Sequence, residues 1–212
     1  MDVSKSDFDR VYFSQQIADP DRFDGVGNAG VHMDYIDAFL KLENIHHPDY
    51  VLDVGCGLGH MLEAVGKKWG NVYCEGIDSS QFAIQDATLT LKPFNCELKH
   101  MDLLKWVFEL YSANSFGLGI CMSVLQYLDD DAVHQVLNKL SNLTWLVYLT
   151  VPTDEEQRSM KTWGYVDPLA KSRTREQYID LISPYFHFVG NRFLESKNQT
   201  CYYTIKERLF RF

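Results

Sequence analysis

A chain of 212 residues with 46% hydrophobic and 23% charged side chains can bury one well-cored domain, and its composition excludes disorder. The formal net charge of −9 argues against nonspecific binding to nucleic acid, which rests on Lys and Arg at phosphates. No apolar run approaches the ~20 residues needed to span a membrane, and Met1-Asp2-Val3-Ser4-Lys5-Ser6-Asp7 carries no basic-then-apolar leader, so a cytoplasmic protein is expected.

Residues before Gly30 are polar and aromatic, broken by Asp19-Pro20-Asp21, Gly25, Gly27 and Gly30. Residues 31–42 read as a helix with Ile36, Phe39 and Leu40 on one face. His46-His47 lacks the spacing of a metal site and reads as loop, so no metal is expected. Residues 50–54 form the first core strand, and 60–69 read as a helix with Met61, Leu62 and Val65 at helical spacing. A second apolar run, 71–77, ends at Asp78; Ser79 or Ser80 then caps a helix reaching Leu91. Residues 96–100 are a short third strand, followed by Met101-Asp102-Leu103. A fourth strand, 116–122, precedes a helix over 129–140 whose first turn is acidic, and a fifth, 145–151, is ended by Pro152.

Strands alternating with helices imply a doubly wound, mostly parallel α/β sheet with helices on both faces. Residues 153–173 have no clear period and read as an irregular loop. After a helix at 174–182, residues 186–194 and 200–206 read as an antiparallel hairpin turning at Asn198-Gln199, which brings the sheet to seven strands. Five cysteines with no Cys-x-x-Cys pair fit small buried hydrophobes in a reducing compartment.

The chemistry concentrates in Asp53-Val54-Gly55-Cys56-Gly57-Leu58-Gly59. Glycine at every second position lets backbone N–H groups approach a ligand, because no Cβ intervenes. Strand, glycine turn and helix together cradle nucleotide-like ligands in open sheets. A dinucleotide fingerprint needs Gly-x-Gly-x-x-Gly, whereas here His60 stands at the third position, so the spacing argues against a nucleotide-dependent oxidoreductase. Asp53 would repel a pyrophosphate and suits a cationic ligand.

This pattern closely resembles motif I of the class I S-adenosylmethionine-dependent methyltransferases, and the resemblance extends over residues 50–152. It implies a Rossmann-like methyltransferase fold, with 1–45 as a lid or cap, 46–212 as the core domain and 153–173 as an acceptor-pocket loop. It implies S-adenosylmethionine as cofactor and S-adenosylhomocysteine as product. Asp78 would take the ribose hydroxyls, with Ser79 or Gln81 adding contacts. Asp102 would take the adenine amino group and the Leu103 N–H the ring. Asp53 would help hold the methionine amino group, while Gly55, Cys56 and Gly57 carry the backbone past the amino-acid end.

Met122 opens the segment that leads from cofactor to acceptor. Many relatives have Phe-Asp where this chain has Phe116-Gly117, and Glu-His where it has Gln126-Tyr127. Phe8-Asp9-Arg10-Val11-Tyr12 resembles the aromatic lid of small-molecule methyltransferases, with Tyr12 closing over the site. Tyr127, His32 and Asp167 are the candidate catalytic groups, with His134 behind them. Trp163, Tyr165, Asp167 and Arg173 are candidates for the acceptor pocket. The Asn/Asp-Pro-Pro-aromatic motif of amino-methyltransferases and the Pro-Cys motif of cytosine enzymes are absent. The expectation is methyl transfer to an O or N atom of a small-molecule acceptor by a monomer or homodimer. The alternatives are a protein methyltransferase and a non-catalytic cofactor-binding partner subunit.

Overall fold

The computed structural model describes residues 8, 10–16, 28–111, 116–199 and 205. Two helices come first, α1 (Arg10–Gln16) and α2 (Ala29–Leu42). Then follow β1 (Tyr50–Val54), α3 (His60–Trp69), β2 (Tyr73–Asp78), α4 (Gln81–Thr90), β3 (Cys96–His100) and α5 (Leu103–Trp106). After β4 (Phe116–Met122) come a 3-10 turn (Leu125–Tyr127), α6 (Asp130–Leu143) and β5 (Thr144–Thr150). The chain continues through α7 (Asp154–Thr162), α8 (Arg175–Ile182), β6 (Phe186–Gly190) and β7 (Phe193–Ser196). Among the described residues these strands make one seven-stranded sheet in the order β3-β2-β1-β4-β5-β7-β6. β1 to β5 are parallel, and β7 runs antiparallel to both β5 and β6.

Both faces of the central strands are buried, which explains their near-continuous apolar sequence. Val51, Cys74, Leu118 and Leu146 pack on one face against Met33, Ile36 and Leu40 of α2 and Leu62 and Val65 of α3. Their neighbours Leu52, Val54, Ile77, Cys121 and Val147 face the other way, onto Val133, Val136, Leu137 and Leu140 of α6. Those four recur at helical spacing, and each contributes about 1.5–3 kcal/mol by leaving water. The chain reverses its direction of growth between β1 and β4, so a crevice opens at the carboxyl ends of these strands.

Two expectations are corrected. The hairpin turns at Asn191-Arg192, not at Asn198-Gln199, so the strands are β6 and β7, both within 186–196. Arg192 adopts φ 68°, a left-handed turn that breaks what reads as one continuous strand. Of residues 200–206 only Ile205 is described, and it is helical and buried. Secondly, 153–173 is not wholly irregular. Thr153 and Glu156 form a reciprocal capping box that starts α7, a helix with no buried residue. The short helix α5, capped by Asp102, is an addition to the elements read from sequence. Ser80 rather than Ser79 caps α4, accepting from the Ala83 N–H at 3.2 Å.

Candidate active site

A cleft of about 2070 Å³ lies at the carboxyl ends of the parallel strands. Its lining includes Tyr12, His32, Asp53, Gly55, Cys56, Gly57, Asp78, Ser79, Asp102, Leu103, Met122, Tyr127 and Asp167. Tyr165 lines it too, whereas Gln81, His134, Trp163 and Arg173 do not. Arg173 is buried behind the wall, bonded to Asp130 and to the Leu125 and Leu128 carbonyls, where it holds the 125–130 segment in place. His134 instead meets the Tyr185 hydroxyl at 3.3 Å.

The glycine turn is shaped by β2. Gly55 and Cys56 both donate to the Ile77 carbonyl, at 2.8 and 3.0 Å. Gly57 donates to Asp78 Oδ2 at 2.9 Å, and Ser80 donates to Asp78 Oδ1 at 2.7 Å. Gly55 has φ 76°, and a Cβ there would lie 2.3 Å from Val124 Cγ2. The turn therefore requires glycine for conformation and for space. Phe13 of α1 sits over Gly57, 3.4 Å from the position a Cβ would take, and leans towards Phe82 of α4.

The electrostatics of this half are unusual. Asp53 is buried and lines the cleft, and its carboxyl has no hydrogen-bond partner among the described residues. Burial, with Asp78 nearby, pushes its carboxyl up to about 8. Burial also raises Asp78, against the N–H groups of Ser80 and Gly57, which favour its ionised form. Asp53 held this way has no opposite charge beside it, and Asp78 has only His100. Burial pushes the Cys56 thiol well up, so it is an inert wall residue. Burial lowers His60, which lines the cleft as a neutral ring with an unpartnered Nε2. Asp102 accepts from the Leu104 N–H at 2.8 Å and so caps α5 as well as lining the cleft.

Beyond β4 the chain takes a strained step. Ser123 has φ 54° and donates its N–H to the Thr150 carbonyl at 2.9 Å, which ties the ends of β4 and β5 together. This step delivers Tyr127 to the cleft, where its hydroxyl donates to Asp167 Oδ2 at 2.6 Å. The Tyr12 hydroxyl lies 2.5 Å from that of Tyr127, and Phe8 packs edge-on to both rings. Burial pushes both tyrosines up, so both stay protonated at neutral pH. His32 Nδ1 lies 2.7 Å from the buried Tyr148 hydroxyl, and Arg192 Nη1 reaches both, at 3.4 and 3.2 Å. The guanidinium can only donate, so the pattern that satisfies all three groups has the Tyr148 hydroxyl giving its proton to Nδ1.

Sequence reasoning missed Tyr148, Thr150, Lys171 and Arg192 at this site. The Phe116-Gly117 departure has a steric reason: a Cβ at Gly117 would lie 2.5 Å from Pro48 Cβ, so Pro48 fills the space an acid would need.

A switch-point crevice bordered by a glycine turn and strand-end acids defines a nucleotide-type cofactor site on an open α/β sheet. A family model described as a methyltransferase domain matches residues 51–144. Trans-aconitate 2-methyltransferase of Escherichia coli O157:H7 is 32% identical over 93 residues, 44% of this chain and 33% of that protein. The chain thus spans a third of that relative's length. The plantazolicin methyltransferase BamL, solved with a desmethyl-plantazolicin analogue and S-adenosylhomocysteine, superposes with a TM-score of 0.62 at 15% identity. That match covers 83% of this chain and 65% of BamL. Magnesium protoporphyrin IX methyltransferase of Synechocystis PCC 6803, with bound S-adenosylhomocysteine, gives 0.58 at 17% identity, covering 87% and 90%. Over residues 51–144 this chain is thus similar to a methyltransferase domain, and it has the Rossmann-like fold of the class I S-adenosylmethionine-dependent methyltransferases. Among the described residues no helix is long and apolar enough to cross a membrane.

Proposed function

We propose that the protein transfers the methyl group of S-adenosylmethionine to an oxygen or nitrogen atom of a small-molecule acceptor. The observation that carries this reading is the pair of cleft carboxyls, the buried Asp53 and the part-buried Asp78, beside a glycine turn open to a ligand backbone. A cofactor with an ammonium, a sulfonium and a ribose diol supplies the charge and the hydroxyls these groups need.

In this reading Asp78 accepts from the ribose hydroxyls and Asp53 faces the amino group. Gly55, Cys56 and Gly57 border the amino-acid end, Asp102 and Leu103 border the adenine, and Ser79, Met122 and Tyr12 complete the enclosure. When bound, S-adenosylmethionine supplies an electrophilic methyl group on a sulfonium. The chain's residues hold the acceptor in line with it, which accounts for much of the rate. α1 and residues 153–173 act as lid and acceptor wall.

Tyr127 is the group we assign to the acceptor's proton. Its oxygen receives that proton as its own passes along the 2.6 Å hydrogen bond to Asp167, so no free phenolate forms. Tyr127→Phe should lower kcat by about 10²-fold and leave S-adenosylhomocysteine affinity nearly unchanged. An unchanged kcat in steady-state assays would reduce Tyr127 to a packing role. His32, with Nδ1 committed to Tyr148, is assigned to orienting the acceptor rather than to taking a proton.

Calorimetric titration with S-adenosylhomocysteine tests the whole reading, and micromolar binding is expected. The pH dependence has a definite sign. Asp53 is protonated in the folded protein below about 8, and a cationic ligand favours its ionised form. Binding at pH 7 should therefore release protons, seen as heats that vary with the buffer's ionisation enthalpy. Affinity should rise as pH approaches 8. Heats independent of buffer would remove Asp53 from the ammonium site, and no binding by folded protein would remove the cofactor.

A further inference from the structure

The part of the cleft formed by α7, residues 163–172 and α8 carries a charge pattern that the cofactor does not explain. On the methyltransferase reading above, we propose that it binds an acidic group of the acceptor, a carboxylate or a phosphate. Lys171 and Arg175 are the main contacts, with Lys161 beside them.

The acids lining this side are all engaged. Asp154 pairs with Arg158 at 2.6 Å, and Glu156 accepts the Thr153 N–H at 2.9 Å. Asp167 accepts from Tyr127 and from the Leu169 N–H, and Asp129 accepts the Ala132 N–H at 2.8 Å. The cations are not balanced in the same way. Lys161, Lys171 and Arg175 line the cleft, and their side chains make no hydrogen bond or ion pair with the described residues. Asp129, Glu156 and Asp167 keep their charges but already accept from N–H or O–H donors, which leaves three cations without an ion pair on this wall to meet an incoming anion.

Hydrogen bonds place these residues at one corner. The Lys171 N–H donates to the Gln126 carbonyl at 2.7 Å, and the Lys171 carbonyl accepts from Gln157 Nε2 at 3.2 Å. Lys161 stands one turn beyond Gln157 on α7, on the same face. The buried Arg173 between Lys171 and Arg175 is locked to the 125–130 segment, which fixes where α8 begins.

Two further observations point outwards from the fold. Arg175 is the first residue of α8, where the helix dipole disfavours a cation and where the Thr174–Gln177 capping box already serves the helix end. Gln126 and Tyr178, 3% and 4% exposed, line the cleft, yet Gln126 Oε1 and Tyr178 Oη have no hydrogen-bond partner. The Tyr178 ring lies under the Arg173 guanidinium, 5.6 Å away, so both groups belong to this corner. They suit hydroxyl or amide groups next to the acid.

The test titrates protein saturated with S-adenosylhomocysteine, at low ionic strength, with inorganic phosphate, with citrate and with neutral glycerol. One of the two anions should bind, more weakly as salt is added, and glycerol should not. Phosphate alone points to a phosphorylated acceptor and citrate alone to a carboxylated one. Lys171→Gln with Arg175→Gln should weaken anion binding about tenfold, and Arg175→Gln alone about threefold. S-adenosylhomocysteine affinity should stay at the wild-type value, and the melting temperature should not fall, since Arg175 opposes the helix dipole. Failure of both anions to bind the saturated protein, or equal binding by the double variant, would overturn the proposal. Failure of S-adenosylhomocysteine itself to bind would instead strike the cofactor reading.

Discussion

Asp78→Ala should weaken S-adenosylhomocysteine binding by about 2–3 kcal/mol, roughly 30- to 150-fold. Two losses combine in this number. The carboxylate no longer accepts from ligand hydroxyls, and Gly57 and Ser80 lose the acceptor that fixes their N–H groups at 2.9 and 2.7 Å. Asp78→Asn should recover little, because its amide offers one acceptor and turns an N–H₂ towards the other N–H. The free protein behaves differently. Asp78 is raised by burial in the folded state, so its charge is a penalty that sets in as pH climbs above the unfolded carboxylate value. Relative to wild type, the alanine variant should therefore melt higher at pH 8 than at pH 5. Calorimetry and thermal melts at both values check this. Wild-type affinity in a folded variant would show that the ribose contact lies elsewhere.

Gly55→Ala should act on stability first and on binding as a consequence. Its backbone stands at φ 76°, where a side chain costs about 1–2 kcal/mol. The new Cβ would also meet Val124 Cγ2 at 2.3 Å, and relieving that overlap costs about 1–3 kcal/mol more. At about 2–4 °C per kcal/mol for a chain of this size, the melting temperature should drop by about 5–20 °C. Val124 is β-branched and follows the strained Ser123, so it has little freedom to swing aside. Adding Val124→Ala should return the steric part but not the backbone part, so the two changes should couple. A Gly55→Ala protein that melts like wild type would mean the turn relaxes easily, and the glycine argument for this site would fall.

The central strands were legible because burial on both faces writes short apolar runs, such as Val51-Leu52-Asp53-Val54, that no solvated element shares. That the glycine-turn residues line one cleft was legible because they stand at strand ends in a fixed chain order. The wall built by α7 was not. α7 buries nothing, so it has no apolar period, and only Thr153 and Glu156 three residues apart announced it. The β6–β7 turn hides in a run that alternates well enough to pass as one strand. Its sign, the positive φ of Arg192, is a property of coordinates. His32, Tyr148 and Arg192 meet across 116 and 160 residues, a distance at which spacing carries no signal. Asp102 shows how two readings coincide, since one carboxylate both caps a helix and borders the cleft.

Tyr12 and Phe13 are neighbours on α1, yet one touches Tyr127 and the other covers Gly57. A movement of α1 that uncovers the glycine turn must also break the tyrosine contact to the acceptor wall. On the proposed methyltransferase reading, exchange of spent cofactor and admission of a new acceptor would be coupled to that one displacement. On that reading the geometry favours an ordered cycle, with cofactor exchange and acceptor entry sharing one opening step.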